Sequence, residues 1–428
     1  MGHEDGDQLR QRQTKKGESH MKLRVLALVG VLTLLGACSG ETEQAEETKA
    51  PPPAPDATPS SASAGVTADE IVLGSHTDLS GSIAIWGVGS INGARMRFEE
   101  ANAAGGIHGR KIRFVVEDTQ YQIPRAIQAA NKLINRDEIF AMVLALGTPT
   151  NNAVLTQQLR SGVPNMFPLT GARTMVEPLH PLKFTARGIY YDEIRAAVKY
   201  FIEQEGKQKP CVIYQDSDYG QEILEAVEDQ LGVMDRQIAE TSAHKSTESE
   251  FTAAILRLRN ADCDLVLMGT VHRDTILILE AARKMGWQDV AWVGNNAAYG
   301  QVIAEQESGS GEGYQAFVHI AKMYRNDDLP EAVTKWWDRY VSLYNEEPGI
   351  PAMEGYRSAD LVVIGLRNAG PALTRDKFTT AIEGISDYTD IFGYHLSFGP
   401  NKHGGVSEST LSIVKDRRWV TLAESISY

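Results

Sequence analysis

Cysteine is scarce in this chain, three in 428 residues, which excludes a disulfide-dense scaffold. With no Cys-x-x-Cys pair, no His-Glu-x-x-His and ten scattered histidines, zinc-type ligand spacing is absent, and we expect no metal and no cofactor. Positive charge is in deficit: 42 Lys and Arg stand against 56 Asp and Glu, for a net charge of −14. A surface of that sign repels phosphate backbones and anionic leaflets, so nucleic acid is excluded as a partner and a membrane is reachable only through an anchor. Catalytic signatures are missing as well. There is no Gly-x-Ser-x-Gly elbow, no Walker A loop and no Gly-x-Gly-x-x-Gly opening a helix, so no enzymatic activity is expected. Beyond the N-terminal region no apolar run is long enough to cross a bilayer.

What is present begins with Leu35-Gly36-Ala37-Cys38. Lys22 and Arg24 precede an apolar run over residues 25–35, too short to span, and small residues then lead to a cysteine. The order is similar to a bacterial lipobox. It implies a signal peptide over residues 21–37 and a lipid on Cys38 that holds the protein on the outer side of a cytoplasmic or outer membrane. The alternative is a secretory signal with an incidental cysteine. Residues 1–20 are polar and are read as an upstream extension, with translation starting at Met21. Residues 38–65, acidic and then rich in Pro, Ser and Ala, are expected to form a disordered linker with an end-to-end distance of about 30 Å.

From residue 66 the chain alternates strand-like and helix-like segments. A strand over 71–73 ends at Ser80-Gly81, and Ile91, Ala94, Phe98 and Ala101 recur at helical spacing until Gly105-Gly106. Strands follow at 112–117, at 139–146, where apolar residues run without alternation as in a sheet buried on both faces, and at 163–168. Helices lie between them. The rhythm resets near residues 184–192, with strands at 212–215, 265–268 and 290–294 and helices ending at Gly232 and near Met285. This succession predicts an α/β fold of two doubly wound, Rossmann-like parallel-sheet lobes with a ligand cleft between facing strand ends. Cys211 and Cys263 fall on or beside two of these strands, and pairing or two buried free thiols are both compatible with the sequence.

Several segments together resemble the branched-chain amino-acid-binding proteins, periplasmic receptors of ABC importers. They are Asp78-Leu79-Ser80-Gly81, Trp86-Gly87, Asn102-Ala103-Ala104-Gly105-Gly106-Ile107-His108-Gly109-Arg110-Lys111-Ile112, Gly147-Thr148, Pro168-Leu169-Thr170-Gly171-Ala172, Asp216-Ser217-Asp218-Tyr219-Gly220 and Phe398-Gly399-Pro400. The resemblance covers the chain from residue 66 onward. It implies the type I periplasmic binding protein fold with a three-segment hinge, one lobe from 66–189 plus 318–399 and the other from 190–317 plus 400–428. It also implies a monomer that delivers a small solute to a permease and its ATPase. The alternative is an extracytoplasmic sensor subunit built on the same fold.

The expected binding residues follow from both readings. Thr148, ahead of Pro149, suits an N-cap whose hydroxyl and amides hold a carboxylate, and capping alone explains it equally. The resemblance puts the loop Thr170, Gly171 and Ala172 on the same carboxylate. Trp86, in the loop after the first strand, and Tyr219, at a helix start across the cleft, offer apolar area with a polar tip. His272 is expected to donate into the cleft. The chain also departs from amino-acid receptors. Asn296 stands where they carry the acid that meets the ligand ammonium, Tyr190 and Tyr191 stand where they carry an aspartate, and Val271 replaces an aromatic. Asp216, Asp218 and Asp274 remain as substitute counter-charges. An ammonium buried without one is costly, so the expected ligand is a carboxylate, an amide or another small metabolite in preference to a zwitterion.

Overall fold

The computed structural model describes residues 63–426. The first lobe begins β1 (Glu70–Thr77), α1 (Ala84–Ala103), β2 (Lys111–Asp118), α2 (Ile123–Asn135), β3 (Ala141–Val143), α3 (Thr148–Arg160), β4 (Asn165–Met166) and β5 (Lys183–Phe184). These strands form one parallel sheet in the order β2-β1-β3-β4-β5. Residues 139–146 are buried without exception, which is why that segment shows no polar alternation.

The second lobe runs α4 (Tyr190–Glu203), β6 (Pro210–Gln215), α5 (Asp218–Val233), β7 (Glu240–His244), α6 (Thr252–Asn260), β8 (Leu265–Gly269), α7 (His272–Lys284), β9 (Ala291–Asn295), α8 (Gln301–Ala304) and β10 (Gln315–Val318). Its sheet reads β7-β6-β8-β9-β10 in parallel, the same order as in the first lobe, with the lobe's second strand outside its first. The strand β7 is absent from the sequence reading because its residues, Glu-Thr-Ser-Ala-His, sit at a sheet edge and lack the apolar run that marks a central strand. Cys211 on β6 and Cys263 ahead of β8 are joined in a disulfide with Cα atoms 5.9 Å apart. Of the two states left open by the sequence, the bonded one is found.

The chain then returns to the first lobe as α9 (Glu331–Tyr344), α10 (Ile350–Asn368) and α11 (Arg375–Glu383), with a small hairpin of β11 (Tyr388–Thr389) and β12 (His395–Leu396). Helix α10 lies along α1 at a separation that only glycine allows. A Cβ on Gly93 would stand 2.1 Å from the Ala352 carbonyl oxygen, and one on Gly355 2.0 Å from that of Ser90. A last crossing leads to β13 (Ser409–Lys415) and β14 (Arg418–Ile426), which add an antiparallel edge to the second sheet beyond β10. Thr185 still pairs with Gly404, so this crossing falls after Gly405, later than the Gly399 to Pro400 boundary read from the sequence. Three crossings therefore join the lobes. In each sheet the strand order reverses beside the first strand, and the two reversal points face one another across the cleft. The signal, Cys38 and nearly all of the linker lie outside the described residues.

Candidate functional site

The first loop of the site is built by two acids. Asp78, fully buried, accepts the amides of Gly81 and Ile83, and Asp118 accepts that of Leu79 at 2.9 Å. This ties the end of β1 to the start of α1 and puts Trp86 in the first turn of that helix, not in the loop expected from the sequence. Trp86 is 3% exposed and its indole Nε1 has no hydrogen-bond partner.

The floor comes from the end of β3. Gly147 has φ +93° and no room for a Cβ, which would meet the Tyr121 ring at 2.5 Å. Gly147, not Thr148, is the N-cap of α3. Thr148 is the first helical residue, so its hydroxyl is free of capping duty and meets the Thr170 hydroxyl at 2.7 Å. That contact fastens the ends of β3 and β4. Behind it Thr170 Oγ1 accepts the Ala172 amide at 3.2 Å, and the Gly171 carbonyl accepts the Tyr190 amide at 2.8 Å. Thr148 lines the cavity; Thr170, Gly171 and Ala172 stand behind it.

The second lobe closes the space with Tyr190, Tyr219, Val271 and Ala297. Tyr190 and Tyr219 pack edge to face with ring centroids 5.1 Å apart. The Tyr219 hydroxyl lies 3.2 Å from the Thr270 carbonyl and 3.1 Å from Asn295 Oδ1. Burial raises the phenol pKa of Tyr121, Tyr190 and Tyr219, so all three stay neutral. The cavity between them is about 30 Å³, room for about two waters.

Arg187, from the first crossing, is the charge in this cavity, and the sequence reading passed over it. It is 4% exposed, its guanidinium lies 4.6 Å over the Trp86 ring, and its Nη2 has no hydrogen-bond partner. Tyr121, also missed, lies after β2. The signal for Arg187 is a lone cation inside the otherwise uncharged segment Phe184-Thr185-Ala186-Arg187-Gly188-Ile189, where a buried charge demands a partner. That partner is Glu354 of α10, with Oε2 3.1 Å from Arg187 Nε. A buried chain continues from it. His319 Nε2 lies 3.4 Å from Glu354 Oε1, and His319 Nδ1 lies 3.9 Å from Glu193 Oε1. Burial alone would raise the Glu354 carboxyl, but Arg187 and His319 overrule it and hold it below the usual carboxylate range.

Three expected residues stand elsewhere. Asn296 does not line the cavity, because its amide nitrogen is taken by Glu193, at 2.8 and 2.7 Å from the two carboxylate oxygens. Tyr191 lies outside the cleft. It follows Tyr190 on a helix, so the two side chains leave on different faces, and the Tyr191 hydroxyl meets Asp229 at 2.5 Å beneath the Arg173 guanidinium. His272 backs Trp86 from the second lobe, stacked with ring centroids 5.8 Å apart, and faces a separate chamber. Burial lowers its pKa to about 4. The substitute acids are spent as well: Asp218 accepts from Asn152 at 2.7 Å on the rim, Asp274 is held by Arg273, and neither they nor Asp216 line the cavity. The cavity thus offers hydroxyls, an indole N–H and a guanidinium, and no carboxylate.

A model of the periplasmic binding protein family matches residues 70–417. The chain is 25% identical over 348 residues to the Leu/Ile/Val-binding protein homolog 8 of Brucella abortus, covering 78% of this chain and 85% of that one. Among solved structures, it superposes with a TM-score of 0.76 on the fatty acid ABC transporter substrate-binding protein of Thermomonospora curvata, at 21% identity over 86% of this chain and 95% of that one. With the ABC transporter solute-binding protein of R. palustris in complex with benzoate the TM-score is 0.73, at 17% identity over 84% and 97%.

Proposed function

This chain belongs to the periplasmic binding protein family, with the type I fold, and from that premise we propose that it captures a small amphiphilic carboxylate in the interlobe cavity and delivers it to an ABC permease. The observation that carries this reading is the charge of the cavity: Arg187 lines it, buried over Trp86, and no acidic side chain does. A carboxylate entering beside Arg187 finds charge-assisted donors from the guanidinium, with hydroxyls from Thr148 and the tyrosines and the free Trp86 Nε1 within the same lining. An α-ammonium finds a cation and no counter-charge. The printed name of the Brucella relative speaks of Leu, Ile and Val, and two structural neighbours are named for a fatty acid and for benzoate. The absent acid weighs toward the second kind of ligand.

The test is calorimetry of the purified protein with leucine, isoleucine and valine against their keto and hydroxy analogues and small aromatic acids. A buried ammonium left without its partner costs about 3–5 kcal/mol, roughly two to three orders of magnitude in affinity. The deaminated acids should therefore win by that margin, and submicromolar leucine binding would overturn the reading. For the anchor, a Cys38→Ser substitution should release the protein from membranes, whereas a variant that stays membrane-bound and labelled by fatty acid refutes lipidation at Cys38.

A further inference from the structure

The stacked rings of Trp86 and His272 have a second side. Beyond them lies an outer chamber of about 440 Å³, against about 30 Å³ for the inner cavity by the same measure. The first turns of α1 border both spaces, Ile83 and Trp86 facing the inner one, Ile85 and Val88 the outer one. Val302 of the second lobe and Ile350 and Pro351 at the start of α10 complete an apolar wall, and Glu305, Glu346 and Glu347 also line this chamber. No Lys or Arg does. Ile85 is 44% exposed there.

We propose that the outer chamber receives the apolar tail of the same solute whose carboxylate is held at Arg187, so that the ligand is an elongated amphiphilic acid spanning the Trp86–His272 pair. This rests on the carboxylate reading above. The first argument is size. The inner cavity has room for about two waters, which suits a carboxylate and the carbon that bears it, and the remainder of any larger acid needs other space. The outer chamber adjoins the inner cavity across the start of α1. The second argument is direction. Donors and the only cation line the inner cavity, apolar groups and three glutamates the outer chamber, so an acid binding in reverse would set its charge against like charges with no partner. The third is the wall itself. His272 is 5% exposed and stacks on the Trp86 indole, so that the boundary between the two spaces is a pair of flat, uncharged rings whose edges a methylene chain can lie against.

The test is calorimetry of the full protein with unbranched carboxylates from propanoate to dodecanoate, and with benzoate and 4-phenylbutanoate. Affinity should rise about fourfold for each methylene that enters the chamber, then level off once it is filled. Two variants narrow or charge the chamber without touching the inner cavity, Val302→Trp and Ile85→Asp. Either one, folded as shown by an unchanged Tm, should remove the dependence on chain length and leave propanoate binding as it was. Short acids bound with an affinity flat across the series would overturn the tail chamber and leave the carboxylate reading standing, as would a length dependence that both variants preserve. Amino acids bound and all carboxylates refused would sink both.

Discussion

Replacing Arg187 with Gln removes two things at once, and the structure separates them. The first is structural. Glu354 is 1% exposed and its carboxylate is paired with Arg187 at 3.1 Å, so the substitution leaves a buried charge with only His319 and Arg357 to offset it, at a cost of up to about 3–5 kcal/mol of folding free energy. The second is functional: the ligand carboxylate loses hydrogen bonds from a charged donor, worth about 1.5–3 kcal/mol, or roughly 10- to 150-fold in Kd. The double variant Arg187→Gln with Glu354→Gln distinguishes them. It relieves the stranded charge and should recover most of the stability, while carboxylate binding stays weakened by the full functional margin. Urea unfolding and calorimetry with benzoate measure the two effects on the same samples. A double variant of parental stability that binds carboxylates as tightly as the parent would refute the reasoning and leave Arg187 a structural cation only. The pH profile gives an internal check. In the parent, Glu354 is held below its usual range, so its contribution is present at neutral pH and is lost as pH falls through the depressed pKa. In the single variant burial is opposed only by the remaining neighbours, the carboxyl moves up, and the deficit should shrink on acidification.

Other outcomes follow from the rim and the disulfide. Glu222 of α5 faces Arg173 of the first lobe, whose amide it accepts at 2.9 Å, and burial raises its pKa from 4.5 to about 7. The conformation in which α5 meets Arg173 therefore binds the extra proton, so this contact between the lobes is favoured at low pH and penalised progressively as pH rises from about 4.5 to about 7. Ligand affinity measured across that window should fall with pH, and Glu222→Gln should flatten the profile; an unchanged slope in the variant would assign the dependence to another group. The Cys211–Cys263 bridge closes a loop of 52 residues, for which loss of the cross-link costs up to about 4 kcal/mol by the chain-entropy relation. Reduced protein should unfold at correspondingly lower urea, and two free thiols in the denatured, unreduced protein would contradict the bridge.

The apolar skeleton was readable because burial on both faces leaves no ambiguity in residues 139–146, and because glycine, as at Gly105-Gly106, ends helices by its own backbone chemistry. Edge strands β7 and β14 were not, since edge positions carry polar residues that read equally as loop, and β13 between β10 and β14 alternates Ser and Thr with its apolar residues. At the site, legibility followed local order. Trp86, Thr148, Tyr190 and Tyr219 sit at strand-to-helix junctions or helix starts, which sequence can place. Arg187 is not legible locally because what holds it at the cavity wall is its partner Glu354, 167 positions away, and no local pattern joins them. Tyr191 stands apart from the cavity for a different reason: adjacent helical residues leave on different faces, and its hydroxyl meets Asp229.

Asn296 shows how a residue singled out in the sequence takes its meaning from its neighbours in the structure. The missing acid after β9 is a real absence, and Ala297, not Asn296, lines the cavity. Yet a carboxylate has not left the region, for Glu193 of α4 lies against the Asn296 amide at 2.7 Å. It is 1% exposed and both its carboxylate oxygens accept from the Asn296 side-chain amide, at 2.8 and 2.7 Å, so it is occupied within the hinge and is not offered to a solute. Carrying Asn296 back to Asp would place a second carboxylate beside the first. Two buried acids that close do not both ionise, so one would take up a proton and no new counter-charge for an ammonium would result. A receptor for zwitterions on this scaffold requires the acid at 296 together with removal of Glu193. By that reasoning the neutral amide at 296 and the acid on α4 are one feature, each occupying the other outside the cavity lining.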